Sequence, residues 1–129
     1  MLKRRVLDVG NCVPDHASIR RMLTKNFDVD VLQTHGQQDT LALLRTEPVN
    51  LVLINRKLDH DYSDGVEILK QIKADPALAQ LPVMMITNYA EHQDSAESLG
   101  ALRGFGKLEL NSSETQQKLA KVLTPSAAT

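Results

Sequence analysis

"LVLIN" at residues 51–55, followed at once by "RKLDHDYSDG" at 56–65, sets the reading of the whole chain. Four consecutive apolar residues bounded by a polar loop describe a short strand covered on both faces, as in a parallel sheet. Working outward, other short apolar runs alternate with stretches of helical spacing. Val6 to Val9 reads as a first strand, interrupted by Asp8, and Ile19, Met22, Leu23 and Phe27 then recur at helical intervals between Asp15 and Phe27. "DVDVLQT" reads as a second strand and "DTLALLRTE" as a helix that stops before Pro48. After the polar loop a helix is expected from about Gly65 to Ala74, with Val66, Leu69, Ile72 and Lys73 inward, opened by Asp64 and Glu67 as an Asp version of the capping box. "PVMMIT" is a fourth strand, "EHQDSAESLG" a polar helix ended by Gly100, and a weak fifth strand lies near Arg103 to Lys107. "SSETQQKLAKVL" is a last helix, capped by Ser112 or Ser113, with Leu119, Val122 and Leu123 on one face.

Five strands alternating with five helices predict an α/β fold with an open parallel sheet covered on both faces. Ligands of such sheets sit at the carboxyl ends of the strands. The residues there are Gly10 and Asn11, Asn55, Thr87, and Lys107.

Composition narrows the classes. The 129 residues suit one domain that buries roughly two-thirds of its unfolded surface. Fifteen Lys+Arg balance 16 Asp+Glu, so the net charge of −1 gives no electrostatic case for nucleic acid or an anionic membrane. Aromatic residues are 3% with no Trp, which leaves no stacking platform for bases. Cys12 is the one cysteine, so no internal disulfide forms and the cytoplasm is the expected compartment. No segment approaches the roughly 18 apolar residues of a membrane span, and "MLKRRVLDVGN" does not read as a secretion signal. Residues 1–123 are expected to form the domain and 124–129 a tail or the start of a linker.

The order and spacing of "RRVLDVGN", "VNLVLIN", "SDGVEILKQIKAD", "LPVMMIT", "LGA" at 99–101 and Lys107 resemble the receiver domains of bacterial response regulators, from Arg4 to Leu123. The resemblance implies a flavodoxin-like (CheY-like), doubly wound, five-stranded parallel sheet of order 2-1-3-4-5 with five helices. It also implies a role in two-component or phosphorelay signalling. In that family an Asp ending the third strand accepts a phosphoryl group, two carboxylates after the first strand help it hold Mg²⁺, and a Thr or Ser and a Lys bind the phosphoryl oxygens. An aromatic three residues before the Lys is the switch, and a Pro follows the Lys.

Here Thr87 and Lys107 match the pattern, but Asn55 stands at the phosphoacceptor position and Gly10 and Asn11 at the acid pair. Gly104 stands at the switch position, with Phe105 next to it, and Leu108 replaces the Pro. The loop after Asn55 is about two residues longer than usual, judged from Asp64-Gly65. An amide is a poor nucleophile for phosphorus, and Mg²⁺ wants anionic oxygens. The pattern therefore predicts a pseudo-receiver: no enzyme activity, no Mg²⁺ or other cofactor, and Lys107 bonded to the Asn55 carbonyl oxygen. Protein partners are expected on the face of the fourth helix, fifth strand and fifth helix, with a homodimer as one form. The polar fourth helix predicts a face that is mobile or covered by a partner. The alternatives are phosphorylation at a non-standard Asp, either Asp59 or Asp8, and a small-anion site on Thr87 and Lys107.

Other residues have plainer readings. Asp59, Asp61 and Asp64 form a solvated turn with Asp64 capping the next helix. Asp8 is buried and paired locally with an Arg, a Lys or backbone. His16, His35, His60 and His92 lie on the surface. Cys12 is inert, Thr87 bonds to backbone, and Gly104 and Gly106 loosen the fifth strand.

Overall fold

The computed structural model describes residues 3–123; the tail expected over 124–129 lies outside the described residues. The strands are β1 (Arg4–Val9), β2 (Val29–Thr34), β3 (Leu51–Asn55), β4 (Val83–Ile86) and β5 (Leu102–Phe105). They alternate with helices α1 (Val13–Asn26), α2 (Gln37–Thr46), α3 (Val66–Ala74), α4 (Ala90–Ser98) and α5 (Ser113–Leu123). All four strand pairings are parallel, and the order is β2-β1-β3-β4-β5. This is the doubly wound sheet expected from the apolar runs.

The side-chain alternation of β3 explains the two-sided core. Leu51 and Leu53 join Val6, Ile19, Leu23, Met84, Ile86, Phe105 and Leu119 under α1 and α5. Val52 and Ile54 join Leu7, Val9, Leu41, Ile68, Leu69, Ile72 and Met85 under α2, α3 and α4. Each fully buried side chain of this size contributes about 1.5–3 kcal/mol of transfer free energy. Asp8 shares its face with Val6, so it points under α1 into an otherwise apolar layer.

Two local expectations are corrected. The Asp64–Glu67 capping box does not form. Asp64 Oδ1 accepts the Val66 amide at 2.9 Å, Gly65 takes the N-cap position, and Glu67 lies beside Lys70 instead. The fifth strand ends at Phe105 rather than Lys107, because Lys107–Glu109 turns into a 3₁₀ segment. The cap of α5 is Ser112, whose Oγ accepts the Thr115 amide at 3.2 Å.

Candidate functional site

The chain leaves β1 through Gly10, at φ +80°, where a side chain would be strained. Space is short as well: a Cβ on Gly10 would run into the tip of the Leu58 side chain, which would have to shift. Leu58 comes from the long loop after β3 and is 2% exposed, packed in the same apolar layer as Val9 and Ile54. The loop is pinned there by its backbone. The Asp59 amide donates to the Gly10 carbonyl at 2.9 Å, the Leu58 amide to Ser63 at 2.9 Å, and Lys57 and Asp64 form an antiparallel bridge. Asp61 accepts from the Ser63 amide at 2.9 Å and from its hydroxyl at 2.7 Å, which is the solvated turn expected for this acidic stretch.

Asn55 closes the floor. Its Nδ2 donates to the Gly10 carbonyl at 3.2 Å and to the Lys57 carbonyl at 2.7 Å. A carboxylate has no proton for either bond. The expected bond from Lys107 to Asn55 is absent: Lys107 Nζ reaches Asp15 Oδ2 in the first turn of α1, at 2.7 Å. An ionised partner outcompetes a neutral amide for an ammonium. Lys107 in turn holds the Asp15 carboxyl below its ordinary value, against a smaller cost of burial, with the Cys12 thiol assisting. Thr87 is not bonded to backbone alone. Its Oγ1 accepts the Tyr89 amide at 3.3 Å and shares a hydrogen bond of 3.1 Å with His92 Nδ1.

Beneath α1 the charge reappears. Asp8 is fully buried, with Asn11 Nδ2 donating to its Oδ1 at 2.5 Å and His16 Nδ1 lying 2.6 Å from its Oδ2. Burial pushes the Asp8 carboxyl up, although both hydrogen bonds and the nearby Lys107 charge pull it down. Asn11 is itself buried, and its Oδ1 lacks a partner among the described residues. Asp8 is thus paired as expected, but with a histidine rather than a Lys or Arg. His16 departs from the surface reading: its side chain is only 17% exposed.

The family model for the response regulator receiver domain matches residues 12–105. The chain belongs to that family. The matched span stops short of Gly10, Asn11 and Lys107, three of the positions just described. Solved structures show the same fold at low identity. A receiver domain from Colwellia psychrerythraea superposes with a TM-score of 0.77 at 21% identity, covering 92% of this chain and 97% of that one. A putative response regulator from Chloroflexus aurantiacus gives 0.76 at 15%, covering 94% and 98%. The chemotaxis response regulator CheY4 of Vibrio cholerae gives 0.74 at 16%, covering 95% and 100%. This chain is a receiver domain of two-component signalling, and no helix among its described residues is long and apolar enough to cross a membrane.

In this receiver domain the backbone at Gly104 is closely packed. A Cβ on Gly104 would lie 2.1 Å from the Met85 carbonyl, because the β4–β5 register shifts between Met84 and Ile86 and draws the two backbones together. Phe105, one place along, is 1% exposed and packs on the α1/α5 side. The Gly104 amide donates to Gln93 Oε1 at 2.8 Å, while Gln93 Nε2 donates to the Met85 carbonyl at 3.0 Å. The polar α4 is thus anchored to the sheet edge through Gln93, which is buried, as is Ala96.

Sequence reading passed over several of these residues. Leu58 offered a faint signal, as an apolar residue within a polar loop. Gln93 offered none, because a buried Gln in a polar helix looks like its neighbours. His16 and His92 carried no spacing cue, since their partners lie on other elements. Cys12, half-buried, takes the N-cap position of α1, and His35 and His60 are exposed, as expected.

Proposed function

We propose that this receiver domain signals without phosphotransfer, as a pseudo-receiver that works by binding a protein partner. The observation that carries this reading is the Leu58 side chain lying where an acid on residue 10 would project. The donors present do not suit Mg²⁺. Gly10 has no side chain, Asn55 turns its N–H groups toward the Gly10 and Lys57 carbonyls, and Asn11 turns toward Asp8. A hard dication met only by the neutral carbonyl oxygens of Asn11 and Asn55 has little to offset its dehydration. Neither cofactor nor catalytic residue belongs to the proposal.

The partner surface proposed is the α4–β5–α5 face, where Leu102 is 44% exposed and Arg103 spans Asp94 and Glu97, both at 2.7 Å. A homodimer through this face is one form of it; neither nucleic acid nor membrane is invoked, and the cytoplasm is the compartment. The test is incubation with acetyl phosphate and Mg²⁺, then intact-mass measurement. No added phosphoryl group is expected, and a stoichiometric, base-labile acyl phosphate overturns the reading.

A second reading keeps phosphorylation on Asp59. It is exposed, and the hydrogen bond that its backbone N–H donates to the Gly10 carbonyl sets it beside the strand ends. Borohydride trapping followed by peptide mass analysis separates the two. Asp8 is a poor acceptor because it is buried and doubly bonded. A small-anion site on Thr87 and Lys107 is opposed by their pairing with His92 and Asp15.

A further inference from the structure

His16, on the far side of its bond to Asp8, opens onto a groove of about 360 Å³ between α1 and the carboxyl-terminal part of β2. Val13 forms its lip, and His16, Arg20, Arg21 and Thr24 line it from one face of α1, with Gln33 opposite on β2. No lining side chain is acidic. Among the described residues no carboxylate pairs with Arg20 or Arg21, whereas Arg5, Arg45, Arg56 and Arg103 each pair with an acid. Two guanidinium groups without an ion-pair partner therefore share one small concavity with an imidazole and a carboxamide, and Arg20 also borders a neighbouring cavity that holds Asp28, Asp30 and Glu47.

The imidazole is held from behind. Its Nδ1 is engaged by a carboxylate on a central strand that is fully buried, which fixes the ring plane and leaves Nε2 as the free nitrogen. Such an orienting carboxylate is costly to bury unless its partners hold it. Gln33 spends one amide hydrogen on the Asn11 carbonyl, at 3.3 Å, and keeps the other. Thr24 donates to the Arg20 carbonyl and keeps its lone pairs.

We propose that this groove binds a phosphate group, with Arg20 and Arg21 supplying charge-assisted hydrogen bonds and His16 Nε2 fixing orientation. Planar guanidinium forks suit phosphate oxygens. Phosphate also fits the ring in either state: it accepts from a protonated Nε2, and in its protonated forms it donates to a bare one. The volume lies at the small end of ligand sites, which suits a phosphomonoester head rather than a nucleotide. This site is separate from the Asn55 pocket and stands or falls independently of the pseudo-receiver reading.

The test is an NMR titration of the ¹⁵N-labelled domain with inorganic phosphate, ionic strength held constant with chloride. A second titration uses a phosphoserine peptide. Saturable shifts of the His16 ring and the Arg20 and Arg21 side chains are expected in the millimolar range or below. The R20A/R21A variant should keep its melting temperature, since both side chains are exposed, and bind about tenfold more weakly or worse. Tighter binding of the peptide identifies a phosphorylated side chain as the source, and equal or weaker binding a free phosphate; both support the site. Shifts that fail to saturate, that centre on Thr87 and Lys107, or that persist in R20A/R21A overturn it.

Discussion

The strand ends around Gly10 and Asn55 and the layer under α1 are neighbouring regions with different electrostatics. At the strand ends Gly10, Asn55 and Leu58 make a neutral, filled floor below the exposed Asp59, with the Asn55 amide hydrogens turned onto backbone carbonyls. Under α1, Asp8 and His16 place ionisable groups inside an apolar layer, and Asp15 and Lys107 form a second pair at its rim. Losing charge at the strand ends removes like-charge repulsion among carboxylates. Keeping charge under α1 costs desolvation, which only specific partners offset.

The contrast can be broken at the strand ends first. Leu58→Ala removes a buried side chain that nothing nearby replaces, and should cost about 3 kcal/mol in urea unfolding. An unchanged midpoint would mean that the loop does not hold the pocket shut. Next comes the layer under α1. Asp8→Ala strips the acceptor from Asn11 and His16 and should cost about 2 kcal/mol.

Asp8→Asn sharpens the same comparison through pH. Burial raises the folded Asp8 carboxyl above its ordinary value of 3.8. Between those two values the unfolded chain has lost its proton while the folded domain keeps it. Each rise in pH through that window therefore lowers stability, and the penalty is complete above the raised value. Asn cannot titrate, so Asp8→Asn should gain on the wild type across the window, measured by thermal melts from pH 4 upward. A flat difference would mean that Asp8 is not desolvated. The smallest effect is expected from Lys107→Ala, about 0.5–1 kcal/mol, because the pair with Asp15 is half-exposed and screened by salt.

The sheet was legible because buried parallel strands are continuous apolar runs, and "LVLIN" and "PVMMIT" read as nothing else. The neutral residues at 10, 11 and 55 were legible through the family pattern, and the structure sets Gly10 and Asn55 in contact. What did not show in the sequence depends on packing across elements. Leu58 becomes a plug only when its loop folds back on Gly10. Lys107 chooses Asp15, 92 residues away, over Asn55. By its sequence Gly104 is expected to loosen a strand, yet it is the residue that lets β4 and β5 approach. Asp8 announced a buried partner, but the identity of that partner, eight residues on, depends on how α1 sits over β1.

The proposed absence of a Mg²⁺ site is tested most directly by thermal unfolding of the wild-type domain across a Mg²⁺ series up to tens of millimolar, at constant ionic strength. Superimposable melting curves are expected. A midpoint that climbs with the logarithm of Mg²⁺ concentration, as mass action requires of any ligand that prefers the folded state, contradicts it.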